Sequence, residues 1–185
     1  MVNQENKSGH NQGIIPEKYY VLPRRYWQNG DRTGNGCVAI MIRNALALWK
    51  GSLQQGEGTL TTESGVLSET QYSYRTRFVE GIGTNPDELI AASLSGCFSM
   101  ALSNELGHSG LHPKSIKTTA TATLEDLAEG WTLTHMQLDV HANVPDASQA
   151  RFMDAALAAK TNCPIARLLK TNISMSATLD HEFVD

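Results

Sequence analysis

Cysteine, net charge of either sign and long hydrophobic runs are all scarce in this chain of 185 residues. It has three cysteines, and this small, odd number excludes a secreted scaffold stapled by disulfides. Fifteen basic residues against 19 acidic ones leave a net charge of -4, which argues against binding along a nucleic acid backbone. No basic block suits an anionic lipid surface. We therefore expect no nucleic acid and no membrane among the partners.

Hydrophobic runs are too short for a bilayer span. The longest stretch without a charged residue, 89–104, has 16 residues and is interrupted by four serines and a glycine, whereas a spanning helix needs about 20 mostly apolar residues. We interpret this stretch as a buried core helix. The first 15 residues lack the apolar run of a secretory signal, so we expect a cytoplasmic protein.

The composition, with 41% hydrophobic and 18% charged residues, is typical of a compact domain with a real core. Residues 1–40 differ from the rest, because they are rich in Asn, Gln, Gly and Arg and keep no apolar period. We expect an N-terminal extension with little regular structure over 1–40 and the folded domain over 41–185. Met41 stands at this boundary, and we treat it as a hypothetical second translation start.

The first half of the domain predicts strands followed by one long helix. Short apolar runs at 45–49 and 59–62, separated by glycines, indicate a hairpin, and a further strand fits 72–79. Asn85 then opens a helix as its N-cap, with Pro86 in the first helical position and Glu88 three residues beyond the cap. Glycines at 107 and 110 close this helix.

The second half predicts a strand pair, two helices and a last strand. Apolar and polar residues alternate over 116–125, and the return strand buries Trp131 but changes parity near His135, which predicts a β-bulge. The remaining elements are helices at 147–160 and 164–169 and a strand at 173–179. This order indicates an α+β fold.

Two cysteines lie in positions that invite a functional interpretation. Cys97 sits in the middle of the long helix, where a small core hydrophobe is one reading. Cys163 directly precedes Pro164 at a helix start, where the dipole favours a thiolate, although a structural cap is an alternative. Their separation of 66 positions excludes a CxxC redox motif and a zinc knuckle.

No motif calls for a cofactor or a metal. The sequence contains neither GxGxxG nor a P-loop nor the GxSxG elbow of many hydrolases. His108 and His112 have the spacing of a metal pair, but glycines break the helix that would align them. We expect no cofactor and no metal.

Two arginines form a basic pair among aromatic residues. Arg75 and Arg77 lie two apart on the predicted strand 72–79 and would share one face. Their apolar neighbours suggest that at least one guanidinium needs an anion. Asp87 and Glu88 are the nearby candidates, although they could instead complement the helix dipole.

Several of these segments together resemble the OsmC/Ohr family of organic hydroperoxide reductases, and its OsmC branch most. The matching segments are GTLTTESGVL at 58–67, TRF at 76–78, GTNPDELIAA at 83–92, GCFSMAL at 96–102 and NCPI at 162–165. They occur in the family's order between about Ala45 and Leu179. Residues 1–40 have no counterpart in the family.

The resemblance implies an α+β fold with antiparallel sheets packed around central helices, in an intertwined homodimer with two active sites at the subunit interface. The family's peroxide-attacking cysteine falls on Cys97, its resolving cysteine on Cys163 and its active-site arginine on Arg77. The family's acid, usually Glu, falls on Asp87, and Glu88 is an alternative holder of the arginine.

The implied activity is a thiol peroxidase that reduces organic hydroperoxides in oxidative or osmotic stress defence. Cys97 would become a sulfenic acid, Cys163 would condense with it to a disulfide, and an external dithiol of lipoyl type would reduce the disulfide. The uncharged neighbourhood of Leu94, Phe98 and Met100 suggests an apolar pocket for the substrate. The rival hypothesis is a non-catalytic OsmC-like protein that binds a small molecule and uses its cysteines structurally.

Overall fold

A computed structural model describes residues 41–180. The predicted extension over 1–40 lies outside these residues, and its boundary at Met41 stays a prediction. The described elements are, in chain order, β1 (Ala45–Lys50), β2 (Glu57–Thr62), β3 (Thr70–Ser73), α1 (Tyr74–Phe78), α2 (Pro86–His108), β4 (Ser115–Leu127), β5 (Gly130–Asn143), α3 (Gln149–Asn162), α4 (Pro164–Leu168) and β6 (Asn172–Asp180).

The strands form two sheets of three, in the orders β1-β2-β3 and β4-β5-β6. By its contacts the described chain divides into two compact units, one with residues 41–48 and 59–70 and the other with 49–58 and 71–180. In the smaller unit, the Glu63 amide donates to the Asn44 carbonyl at 3.2 Å and the Thr62 amide to the Leu67 carbonyl at 2.9 Å. All of the candidate site residues lie in the larger unit.

The strand predicted over 72–79 is wrong beyond Ser73, where the chain turns into the helix α1. The Ser73 hydroxyl accepts from the Thr76 amide at 3.2 Å, and the Thr76 hydroxyl accepts from the Ser73 amide at 2.9 Å. This reciprocal pair is a capping box in which Thr replaces the usual Glu or Gln. Because successive helical residues point about 100° apart, Arg75 and Arg77 do not share the strand face that the sequence predicted.

The start of α2 follows its prediction closely. The Asn85 side chain accepts from the Glu88 amide at 2.8 Å, and Pro86 occupies the first turn. The Glu88 carboxylate does not return to the cap amide but accepts from the Thr84 hydroxyl at 3.2 Å. The helix begins at the predicted residue because each of these signals is local.

The second sheet contains the predicted bulge. Strands β4 and β5 pair in antiparallel fashion, with Thr123 opposite His135 and Leu124 opposite Leu133. Thr134 is therefore the extra residue on β5, next to the predicted position. The parity change in the sequence was a sufficient signal for this irregularity.

The last strand pairs in the direction that we did not expect. β6 runs parallel to β5, from His135 opposite Asn172 to Asn143 opposite Asp180, so the expectation of antiparallel sheets holds for β4–β5 and is wrong for β5–β6. The connection between them passes through α3 and α4, and such a helical crossover lets a strand return in the same direction.

The core lies between α2, α3 and the second sheet. On α2 the fully buried residues recur every four positions, at Leu94, Phe98, Leu102 and Leu106. They pack with alternate residues of β5 and with the inner face of α3, namely Met136, Leu138, Val140, Ala142, Phe152, Ala156 and Ala159. The predicted core helix is thus confirmed for one side of α2.

The opposite side of α2 is open in the single chain. Ala92, Ser93, Gly96 and Ser103 are exposed, and the Met100 side chain is 76% exposed. By length and composition alone, this helix of 23 residues would suffice to cross a membrane, and a core helix passes the same test. Between Ala92 and Ser103 this open side carries small residues and Met100 but no charged side chain, which leaves room for a second surface to pack closely against it.

Candidate active site

The structure brings the two predicted cysteines together. The sulfur atoms of Cys97 and Cys163 lie 3.1 Å apart, and both residues are free thiols. Cys97 is partly exposed on α2, whereas Cys163 is completely buried. Since a disulfide bond is about 2.05 Å long, a small movement of either side chain would allow the bond to form.

Cys163 is held at the junction of two helices. Its amide donates to the Ala159 carbonyl at 2.8 Å, and its carbonyl accepts from the Arg167 amide at 3.0 Å, so it ends α3 and begins α4. The neighbouring Asn162 side chain donates to the Glu105 carboxylate on α2 at 2.9 Å. These bonds fix the junction against the helix that carries Cys97.

Burial decides the protonation of Cys163. Removal from water raises the pKa of this thiol above its ordinary value, and the Cys97 sulfur beside it raises the pKa further. The backbone N–H groups of Ala166 and Ile165 lower it, but to a smaller total effect. The start of α4, a helix of only five residues, therefore does not offset the effect of burial on this thiol.

The predicted arginine and acid also meet. The Arg77 guanidinium donates to both carboxylate oxygens of Asp87, at 2.9 and 3.1 Å, in the two-pronged geometry that gives strong ion pairs. The Asn85 side chain donates to the Thr76 carbonyl at 3.1 Å and so ties α1 to the start of α2. Glu88 faces Thr84 instead. Of the two candidate acids, Asp87 is the one that binds the arginine.

The two pairs do not meet each other within one chain. Asp87 and Cys97 are ten positions apart on α2, which is about 15 Å along a helix axis. Among residues 41–180 no hydrogen bond joins Arg77 to either thiol. A single chain therefore supplies a thiol pair and an arginine–carboxylate pair at separate places along the same helix.

An aromatic stack adjoins Arg77. Its guanidinium lies 5.1 Å from the centre of the Phe78 ring, within the range of a cation–π contact. The centre of the Phe78 ring lies 4.9 Å from the ring centre of Tyr74 and 4.9 Å from that of Trp131. Trp131 is 54% exposed, so the prediction that the return strand buries it is wrong. Position 131 follows the turn glycine of the β4–β5 hairpin, where only one side of the ring is covered.

The apolar pocket predicted from neighbours of Cys97 does not exist in that form. Leu94 and Phe98 are completely buried in the core, and Met100 points outward. Sequence proximity placed them around the thiol, whereas the helical period of 3.6 residues turns them to other faces. The aromatic surface that reaches solvent is instead formed by the half-buried Phe78 and the exposed Trp131. No local pattern indicated that these two residues, 53 positions apart, would stack.

Histidines make polar contacts without forming a cluster. His135 Nε2 lies 2.6 Å from the Ser174 hydroxyl, and His141 lies 3.3 Å from the Asp180 carboxylate. Between residues 41 and 180, no group of three or more His, Cys, Asp or Glu side chains has an arrangement that could hold a metal ion.

Comparison with known proteins agrees with this geometry. Residues 79–178 match the family described as OsmC-like protein. The chain is 42% identical over 136 residues to Peroxiredoxin OsmC of Escherichia coli K12, covering 74% of this chain and 92% of that protein, and equally to Peroxiredoxin OsmC of Shigella flexneri.

Solved structures share the fold at lower identity. An OsmC-like protein of unknown function from Vibrio cholerae superposes with a TM-score of 0.62 at 17% identity, over 75% of this chain and all of that one. The organic hydroperoxide resistance protein OhrB of Bacillus subtilis gives 0.55 at 20% identity, over 74% and 98%. On the family match and the 42% identity, the chain belongs to the OsmC-like protein family.

Proposed function

We propose that this protein is a peroxidase that reduces organic hydroperoxides to alcohols through Cys97 and Cys163, in defence against oxidative and osmotic stress. Membership of the OsmC family, with Peroxiredoxin OsmC as a relative, supports the peroxidase class. The observation that carries the mechanism is the 3.1 Å separation of the two sulfur atoms. Two buried structural cysteines would need no such approach.

The cycle has three steps. The Cys97 thiolate attacks one oxygen of the peroxide bond, the O–O bond breaks, and the alkoxide leaves and takes up a proton as alcohol. Cys97 then carries a sulfenic acid, which the Cys163 thiol condenses to a disulfide with release of water. An external dithiol, proposed to be of lipoyl type, reduces the disulfide and is itself oxidised.

Exposure and protonation support the order of the two cysteines. A peroxide can reach the partly exposed Cys97 but not the completely buried Cys163. The raised pKa of Cys163 keeps its proton, and its sulfur lies within hydrogen-bond distance of the Cys97 sulfur. The buried thiol is thus in place to resolve the product that forms at Cys97.

Arg77 is proposed to act on the thiol pair of a second subunit. Its carboxylate partner, Asp87, lies about 15 Å along α2 from the Cys97 thiol of the same chain. The outer side of α2, formed by small residues and Met100, is exposed in the single chain. A homodimer that packs on this side would bring Arg77 of the partner subunit to Cys97. There the guanidinium would favour the thiolate and stabilise the charge that develops on the leaving alkoxide.

The aromatic stack supports an organic substrate. Phe78 touches Arg77, and Trp131 extends the surface from Phe78 to solvent. Exposed aromatic surface of this kind is costly in water unless an apolar group covers it. We propose that the alkyl or aryl part of the hydroperoxide lies there while the peroxide group faces the guanidinium.

The test is steady-state reduction of cumene hydroperoxide by the purified full chain with dihydrolipoamide as reductant. We expect turnover that Cys97→Ser abolishes. The third cysteine of the chain, Cys37, has no role in this cycle, so Cys37→Ser should leave turnover unchanged. Peroxide titration followed by peptide mapping should find one disulfide, between Cys97 and Cys163, per chain. Fully reduced protein that consumes no peroxide would overturn the proposal in favour of a non-catalytic binding protein.

A further inference from the structure

Asn162, the residue before Cys163, is bound to the helix that carries Cys97. Its side-chain amide donates to the Glu105 carboxylate at 2.9 Å. Glu105 lies on α2, eight positions beyond Cys97. This contact, here called the Asn162–Glu105 bridge, therefore links the junction of α3 and α4 to the helix of the other cysteine, at a point away from the sulfur atoms.

The acceptor of the bridge is largely shielded from water. The Glu105 side chain is 18% exposed, and its second carboxylate oxygen lies 3.9 Å from His108 Nδ1. A hydrogen bond to a carboxylate is roughly twice as strong as one between neutral groups. Asn162 itself is exposed, so its replacement leaves no gap in the core.

The packing of α3 gives the junction little other resistance to sliding. The buried face of this helix consists of one aromatic residue followed by three alanines, namely Phe152, Ala155, Ala156 and Ala159. Small side chains let two helices approach closely, but they form few of the interdigitating contacts that oppose a shift along the partner helix. A directional hydrogen bond next to Cys163 supplies such a restraint.

Placement of this junction matters for the proposed chemistry. The two sulfur atoms lie 3.1 Å apart, and the disulfide requires about 2.05 Å. When reacting groups are held by the fold, a misplacement of about 1 Å can slow their reaction by up to about 100-fold. A restraint on the residue before Cys163 therefore acts on the rate of bond formation.

We propose that Asn162 and Glu105 are positioning residues for the step that closes the disulfide, an inference that rests on the proposed peroxidase cycle. In this step the Cys163 sulfur attacks the sulfenic acid sulfur of Cys97. The S–O bond breaks as the S–S bond forms, and the hydroxyl group leaves as water with the Cys163 proton. Because neither member of the bridge contacts the peroxide in this scheme, the bridge acts on the second step of the cycle and not on the first.

The experiment separates the two steps in a single turnover with one equivalent of cumene hydroperoxide. Rapid mixing gives the rate of peroxide consumption, and acid quenching followed by peptide mapping gives the rate at which the Cys97–Cys163 disulfide appears. Asn162→Ala and Glu105→Ala should consume peroxide at the wild-type rate but form the disulfide about fivefold more slowly, the loss expected for one partly exposed hydrogen bond. The double variant should be no slower than either single one, because the bridge is removed only once.

Two controls distinguish positioning from a general loss of structure. Glu105→Gln keeps an acceptor oxygen for the Asn162 amide and should form the disulfide within about twofold of the wild-type rate. Thr161→Ala changes the adjacent exposed residue, whose hydroxyl bonds the Leu157 carbonyl of its own helix, and should behave as wild type. Equal slowing of both steps, or unchanged disulfide formation in Asn162→Ala, would overturn the proposal.

A measurement without peroxide tests the bridge apart from the proposed function. In glutathione buffers, the equilibrium constant for forming the Cys97–Cys163 disulfide should be about fivefold lower in Asn162→Ala than in wild type, because the two thiols are less often in reach. An unchanged constant would reject the bridge as a positioning device. A wild-type protein that consumes no peroxide but shows this difference would instead reject the peroxidase cycle alone.

Discussion

Arg77 holds Asp87 with two hydrogen bonds, while the adjacent acid, Glu88, faces Thr84. The Asp87 side chain, although shorter than that of Glu, thus reaches the Arg77 guanidinium from the first turn of α2. The sequence could not decide which of these two neighbouring acids binds Arg77, and the structure assigns that contact to Asp87. Asp87→Asn and Glu88→Gln are therefore a matched pair of variants.

Asp87→Asn should lower kcat/KM for cumene hydroperoxide at least about tenfold, because the guanidinium loses a charge-assisted pair worth about 1.5–3 kcal/mol. Arg77→Lys should cost about 100-fold, since the ammonium cannot reproduce the two-pronged geometry. Glu88→Gln should stay near the wild-type value. Steady-state kinetics at saturating dithiol measure all three, and equal losses in Asp87→Asn and Glu88→Gln would reject Asp87 as the holder of the arginine.

The order of the two cysteines can be read from trapped intermediates. After one equivalent of peroxide, Cys163→Ser should accumulate a sulfenic acid at Cys97 that reacts with dimedone, because no thiol remains to resolve it. Cys97→Ser should take up no label. Mass spectrometry of the labelled peptide checks the site, and label on Cys163 in the Cys97→Ser variant would reverse the assignment.

The open side of α2 predicts a subunit contact at Gly96. An added Cβ there meets no atom within 4 Å in the single chain, so Gly96→Leu should not disturb the fold of one subunit. It should nevertheless convert a dimer to monomers, because a bulky side chain prevents close approach of a second copy. Light scattering coupled to size exclusion measures the mass.

The control for this contact is Ala150→Leu, which introduces the same side chain at an exposed position of α3 and should leave the dimer intact. A complementary experiment mixes subunits that carry Arg77→Ala with subunits that carry Cys97→Ser. Mixed dimers should regain up to half of the activity if the arginine acts across the interface. No recovery in a verified mixed dimer would place both groups in one subunit's site.

Trp131→Ala should lower kcat/KM for cumene hydroperoxide about tenfold and leave that for hydrogen peroxide within about twofold. The reason is that only the aryl substrate loses apolar contact, and an aromatic contact contributes about 1 kcal/mol beyond its buried area. Trp131→Phe retains a ring and should lie between the two. A parallel loss for both peroxides would mean that Trp131 supports the fold of the hairpin rather than the substrate.

The buried Cys163 thiol predicts a fall of stability at alkaline pH. Because its pKa in the folded chain lies above the ordinary value near 9, the unfolded chain releases this proton first as pH rises. The free energy of unfolding should therefore be unaffected below about pH 9 and decrease above it, by at most about 1.4 kcal/mol per pH unit for one proton.

Urea unfolding of the reduced protein at pH 8, 9.5 and 10.5 measures this slope. Cys163→Ala removes the ionisable group and should unfold with a shallower dependence on pH in the same window. An identical slope in the variant would show that other groups cause the loss.

Local features of the chain could be predicted because their causes are local. The Asn85 cap, the alternation along β4 and the bulge beside His135 each depend on residues within a few positions of one another. Capping hydrogen bonds and the two-residue period of a strand are short-range features, so the sequence pattern is enough to predict them. The strand predicted over 72–79 failed beyond Ser73 because two local signals there conflict. A capping box with Thr in place of Glu is a weaker pattern than the run of aromatic residues around it, which favoured a strand.

The amino-acid sequence was enough to predict the family, the α+β order of the elements and the candidate residues Cys97, Cys163, Arg77 and Asp87. Three-dimensional packing was needed to show that the sulfur atoms meet at 3.1 Å, that Asp87 rather than Glu88 binds the arginine, and that β6 returns parallel to β5. These facts depend on how α2 packs against α3 and α4 across 66 positions of chain. Burial also raises the pKa of the Cys163 thiol, because desolvation depends on the packed core and outweighs the local effect of a short helix.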